Sequence, residues 1–229
     1  MAGLQTIINK CNAINIDRRK VVGIQITRNE VARTSETPTF QPWRMTLSMP
    51  ASLAYQTNRD LLEALDTLDR NTPEVVTFGS NACLSWIFKY QGTIPATQRN
   101  TISVQSFVGN VLTLTNLPAV ASTRVIFEPN DIIQIGNNNF PFTSTTRVTR
   151  GTGTTVQVIT HRPNIITSSV VNNTLTYGND CNFYMFCPNM PTYTLVPGAA
   201  TRNSAGTTTN NALLAWSDDF QLYEWVATA

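Results

Sequence analysis

The 229 residues are enough for one large β domain or two smaller ones with real cores. Only 13% are charged, against about 25% in a typical domain, and the net charge of +2 is too balanced to argue for a nucleic-acid partner. A surface built from Thr, Asn, Ser and Gln suits a protein that buries much of itself against partners, because a buried hydroxyl or amide needs only a hydrogen bond whereas a buried charge must be paired.

Taken in chain order, Leu4, Ile7, Ile8, Cys11 and Ile14 recur at helical spacing and predict a short amphipathic helix that docks on something. Arg18-Arg19-Lys20 reads as a solvated strand edge. Ile24 and Ile26 alternate with polar neighbours as a half-buried strand. Residues 28–42 show no period and read as a long polar loop, a length that is usually functional or disordered. Trp43, Met45 and Leu47 alternate in the next strand, which Pro50 ends.

Thr57 or Asn58 then caps a helix with Leu61, Leu62, Leu65 and Leu68 as its apolar stripe and Asp60 and Glu63 near its positive end. Pro73 prevents its restart. Glu74–Phe78 and Leu84–Tyr90 read as strands, the latter with Leu84, Trp86, Phe88 and Tyr90 on one face.

Residues 95–166 are a nearly continuous series of short β segments separated by Asn, Gly, Thr and Pro: 101–107, 111–115, 125–127, 131–135, 146–149 and 154–160. Arg150-Gly-Thr-Gly-Thr-Thr reads as a hairpin turn between the last two. Afterwards come the aromatic run Cys181–Cys187, a strand from Tyr193 to a turn at Pro197-Gly198, a flexible stretch at 199–211, and two final strands at 212–216 and 220–226. The final strands are expected to pair with those near the start, since their faces are equally aromatic. The expected organisation is a mainly β chain in which a module at 95–166 interrupts a discontinuous domain made of 1–94 and 167–229.

Catalytic chemistry finds little to build on. His161 is the only histidine and reads as a strand-end residue bonded to backbone. The four cysteines (Cys11, Cys83, Cys181, Cys187) have no CxxC spacing, which argues against zinc. Cys181 and Cys187 in an extended run would lie roughly 20 Å apart, so free buried thiols are expected. Glu128, Asp131 and Asp180 read as turn acids, with Pro129-Asn130-Asp131 a turn signature. Trp43 and Trp86 are expected in the core, and Trp216 and Trp225 in a core or an interface. No cofactor, metal, catalytic residue, signal peptide or membrane span is expected.

Pro42-Trp-Arg-Met-Thr-Leu47, Pro50 with Tyr55, Asn58-Arg-Asp-Leu-Leu-Glu-Ala-Leu-Asp-Thr-Leu-Asp-Arg70, Leu84-Ser-Trp-Ile-Phe-Lys-Tyr-Gln-Gly92, Asp131-Ile-Ile-Gln-Ile-Gly136 and Thr160-His-Arg-Pro-Asn-Ile165 carry a resemblance. Together they resemble structural proteins of tailed bacteriophages, in particular tail-tube and baseplate-hub components, over most of residues 20–225. The likeness is one of pattern rather than of a diagnostic motif.

The resemblance implies a tail-tube-like β-sandwich or half-barrel with one flanking helix. Its copies would join edge to edge in a ring, commonly a hexamer, around a lumen through which DNA passes only as cargo. It further implies a tube-initiating or baseplate-hub ring subunit in the virion, made in the host cytoplasm. Partners would be adjacent tube, hub or baseplate wedge proteins. The inserted module departs from the plain tube protein and favours a specialised baseplate ring. Expected contact residues are Arg28, Glu30, Arg33 and Glu36 in the polar loop and Leu4, Ile7 and Ile8 in the first helix. The competing reading is a receptor- or glycan-binding β module of a fibre or capsid, which calls for an exposed Trp or Tyr in a shallow groove.

Overall fold

The computed structural model describes residues 3–18, 22–26, 32–36, 42–51, 53–68, 72–197, 201–202, 208–209 and 212–226. The first elements are helix α1 (Gly3–Lys10), strands β1 (Ala13–Asp17), β2 (Val22–Ile26), β3 (Ala32–Glu36) and β4 (Arg44–Ser48), helix α2 (Arg59–Thr67), strand β5 (Glu74–Thr77) and helix α3 (Ala96–Arg99). Next come β6 (Ser103–Val108), β7 (Val111–Thr115), β8 (Val125–Phe127), β9 (Ile132–Ile135), β10 (Phe142–Thr143), β11 (Val148–Thr149), β12 (Val156–Ile159) and β13 (Leu175–Tyr177). The chain closes with β14 (Asn182–Phe186), β15 (Tyr193–Pro197), β16 (Thr201–Arg202), β17 (Thr208–Thr209), β18 (Ala212–Trp216) and β19 (Phe220–Glu224). The fold is mainly β, with antiparallel sheets and flanking helices.

Two compact units divide the chain. Met1–Asp17, Arg44–Ser85 and Tyr184–Ala229 make the first; Arg18–Trp43 and Trp86–Phe183 make the second. The strand-rich stretch 95–166 lies wholly within the second unit, which extends beyond it in both directions.

The first unit is organised by a five-stranded sheet in the order β1-β4-β19-β14-β5. Alternation explains its buried face. Met45 and Leu47 of β4 stand opposite Leu222 and Phe220 of β19, and all four are buried. Of the two final strands only β19 pairs with an early one, β4; β18 pairs instead with its late neighbour β15. Helix α1 lies against α2 and β5, with Leu4, Ile7, Ile8, Leu61 and Leu62 buried. A Cβ on Gly3 would stand 2.8 Å from the Ala64 carbonyl, so the two helices approach at a point where only glycine fits.

The second unit holds three small sheets, β12-β7-β6, β10-β9-β13 and β11-β8, and the two-stranded pair β2-β3. Its core gathers Val104, Leu112, Leu114, Phe127, Ile133, Ile135, Phe142, Val158 and Tyr177. Strand β9 is buried along its whole length. Its one polar side chain, Gln134, accepts the Asn182 N–H at 2.7 Å. Asn116, Asn130 and Asn172 take left-handed backbone angles between strands, the conformation their short amides tolerate best. Gly178 has φ +63°, and a Cβ there would sit 2.6 Å from Tyr90 N and 2.7 Å from Phe88 O.

Several sequence expectations need correction. Leu84–Tyr90 is a series of turns rather than a strand, with Ser85 N–H donating to Asn81 O at 2.8 Å and Lys89 N–H to Trp86 O at 3.3 Å. Leu84 and Phe88 are buried while Trp86 is 68% exposed. A period-two series also contains residues four apart, which is why it mimics a strand. Within 28–42 the chain forms β3, paired in register with β2 from Val22↔Glu36 to Ile26↔Ala32. Ala-Arg-Thr-Ser-Glu offers no alternation to read, because backbone pairing does not require one. Strands β11 and β12 do not form a hairpin ladder: β11 pairs with β8 and β12 with β7.

Candidate functional site

The contact residues expected from the sequence fare differently. Arg28 and Glu30 lie outside the described residues. Arg33 and Glu36 fall in β3, each opposite a β2 residue (Gln25 and Val22). Leu4, Ile7 and Ile8 do not present a contact surface: they are buried in the chain's own first unit.

Polar clamps, none singled out from the sequence, hold α1 there. The Glu74 carboxylate accepts the Gly3 and Leu4 N–H groups at 3.1 and 2.8 Å, satisfying orphan donors at the positive end of the helix. The Gln5 amide pairs with the Thr77 backbone in both directions, each bond 2.9 Å. At the other end Asn81 Nδ2 donates to Ile8 O, and to Cys11 O at 3.1 Å, while its Oδ1 accepts the Cys83 and Leu84 N–H groups at 2.8 and 3.0 Å. A helix face that meets a partner looks the same in sequence as one that meets its own sheet. Only the 70-residue separation of the clamps decides it.

His161 is bonded to backbone. Its Nδ1 accepts the Thr143 N–H at 3.0 Å, and its own N–H donates to Thr143 O at 3.0 Å. Nε2 is buried with no hydrogen-bond partner among the described residues. The ring meets Trp43 edge-on at 5.4 Å. Burial, with Arg162 and Arg18 nearby, pushes its pKa down to about 2, so the ring is a neutral packing element.

Arg18 is not the solvated residue the basic triplet implies: Nη1 donates to Thr143 Oγ1, Nη2 donates to Asn130 Oδ1, and the guanidinium lies over Trp43. Arg162 is fully buried, donating to Pro141 O at 3.0 Å with its guanidinium over Phe142. Trp43 Nε1 donates to the same carbonyl at 2.8 Å. Arg18 is thus held by side-chain oxygens, and His161, Arg162 and Trp43 by backbone.

Asp131 is buried and accepts the Gln91 N–H at 2.7 Å and the Glu128 N–H at 2.8 Å. Burial raises its pKa even against those hydrogen bonds. It ties a turn to a neighbouring loop, and the nearby Glu128 carboxylate adds to the upward shift. None of the four cysteines is in a disulfide; Cys11, Cys181 and Cys187 are buried and Cys83 is exposed. Burial pushes the Cys11 thiol up to about 12 and raises that of Cys181, the reverse of what a nucleophile needs. Among the described residues no three His, Cys, Asp or Glu side chains gather as metal ligands would. No helix among them is long and apolar enough to cross a membrane.

What the chain does present is apolar surface. Trp86 and Ile87 are exposed side by side. Val108, Val111 and Ile159 form an exposed row across β6, β7 and β12, since Val111 is opposite both of the others. Strand β15 is exposed at all five residues, including Tyr193, Leu195 and Val196. Trp216 is half-buried between Tyr193 and Phe220, and Trp225 meets Phe186 edge-on. Depressions of about 300 and 340 Å³ flank the turn at Asp218 and Asp219, but Asp218 Oδ1 is already accepting the Asp219 N–H at 2.8 Å. Compared with known proteins, the chain matches no family model and no curated sequence.

Proposed function

We propose that this protein is a structural ring subunit of a bacteriophage tail, a baseplate hub or tube-initiating component that works by assembly and not by catalysis. The observation that carries the reading is the set of two-stranded ribbons β2-β3, β15-β18 and β16-β17, each outside any larger sheet, in a chain with only 13% charged residues. An isolated ribbon is marginal in water, and an uncharged apolar edge such as that of β15 invites pairing with another chain. Closed symmetry removes such edges by joining each copy to the next. In this reading the ring templates the tube, surrounds the DNA conduit, and meets neighbouring tube, hub or wedge proteins in the virion. The half-barrel ring architecture belongs to the same proposal. Electron micrographs of the purified protein test it: closed rings of uniform copy number are expected, and monomers at every concentration would overturn it.

Trp86 favours a second reading. A tryptophan 68% exposed in a turn has the form of a sugar-stacking platform on a receptor- or glycan-binding module. Glycan-array binding by the full chain that disappears in Trp86→Ala would support this reading over the first.

A further inference from the structure

Among the described residues strand β15 has only one strand partner, β18. Its register with β18 runs Tyr193↔Trp216, Thr194↔Ala215, Leu195↔Leu214, Val196↔Leu213 and Pro197↔Ala212. The far edge of β18 is occupied, because Leu214 N–H donates to Leu53 O at 2.9 Å and Leu213 bridges Ala54. At the base of the ribbon Ser217 N–H donates to Thr192 O at 2.9 Å.

Backbone groups in an antiparallel strand point alternately to either side. Leu214 and Trp216 therefore direct theirs away from β15, while Leu213, Ala215 and Ser217 direct theirs toward it. Their partners Val196, Thr194 and Thr192 face back. What remains on the outer edge of β15 is the N–H and C=O of Tyr193 and Leu195, and the C=O of Pro197. Among the described residues nothing bonds to them.

The side chains tell the same story. Tyr193, Leu195, Leu214 and Trp216 share one face of the ribbon, since opposite residues lie on the same side. Leu214 on the inner strand is 0% exposed, whereas Leu195 and Tyr193 on the outer strand are 46% and 38% exposed. Among the described residues no strand covers the apolar side chains at the outer edge of the ribbon.

From the unpaired backbone groups and the uncovered side chains together, we infer that the outer edge of β15 takes an extended strand from a second copy of this chain. That strand bonds to Tyr193 and Leu195 and covers their side chains. This rests on the ring reading and deepens it by naming the edge. A second copy is the occupant because β15 is uncharged. A charged strand laid along Tyr193 and Leu195 would meet no counter-charge, whereas a chain with 13% charged residues supplies uncharged strands of its own. Pro197, which has no N–H, limits the pairing to a short register.

Leu195→Pro tests the claim on the full chain. It removes an N–H that the β15–β18 ladder does not use, so the ribbon keeps its own bonds. Leu195→Lys is the second variant, keeping the backbone and placing a charge at the edge. Mass photometry and amide exchange of wild type and both variants are the readouts. In the assembled wild type the Tyr193 and Leu195 amides should be protected relative to dilute protein. Both variants should weaken assembly by at least about tenfold, equivalent to about 1.4 kcal/mol, and should return Tyr193 to fast exchange. Should Leu195→Pro unfold, Leu195→Lys decides alone. If wild type assembles and the folded variants assemble equally well, this edge assignment is wrong and the ring reading stands. If wild type stays monomeric throughout, both fall.

Discussion

The core of the second unit and the β15–β18 ribbon of the first are built from the same apolar and hydroxyl residues, yet they end differently. In the second unit the turns and strand ends are closed from within: Asp131 takes the loop N–H groups, His161 takes Thr143, and Trp43 and Arg162 share the Pro141 carbonyl. In the ribbon the outer strand keeps, among the described residues, open backbone and exposed side chains. The lesson is that apolar content does not separate a covered strand from an exposed one. Satisfied backbone does.

The comparison can be broken hardest at Trp43. Trp43→Ala should destabilise the chain by about 4 kcal/mol, the range for a large aromatic truncated in a core, while Trp86→Ala, at the exposed tryptophan, should cost almost nothing. Chemical denaturation of the two variants side by side measures this. Equal effects would mean that the burial contrast between them is wrong.

Asp131→Ala follows, at about 3 kcal/mol, because it leaves buried backbone donors without an acceptor. Amide exchange at Gln91 and Glu128 should accelerate in the folded variant.

Acid should act next, through His161. Its pKa is about 2 in the folded chain and near 6.5 when unfolded. A lowered folded pKa means that the unfolded chain takes up the proton first. Stability is therefore intact above pH 6.5 and declines as pH falls toward 2, by about 1.4 kcal/mol per unit. His161→Phe should flatten that dependence between pH 6.5 and 4.5; a slope unchanged in the variant would show that other groups set it.

The smallest effect sharpens the contrast from the other side. Glu74→Gln weakens the carboxylate that caps α1 and should cost about 1 kcal/mol, with faster exchange at Gly3 and Leu4. No loss at all would reopen α1 as an element held by a partner.

Much of the architecture could be read from periodicity. Strands β4 and β7 and helix α2 follow from it closely, because each buries one face and so must alternate at its own period, while β8 and β18 follow as short apolar runs. Elements too short to show a period, such as β10, β13 and α3, could not be read, and neither could β3, whose sequence shows no alternation. Among the named contact residues, the helical trio was legible as apolar but not as internal.

By itself the sequence determined a weakly charged, mainly β chain with an N-terminal amphipathic helix and a single histidine. Those properties depend on composition and on spacing over a few residues. The tertiary structure decided that Leu4, Ile7 and Ile8 face inward, that Trp43 is covered and Trp86 bare, and that β15 ends at an open edge. Each of these turns on which distant backbone groups meet, and local patterning carries no record of that.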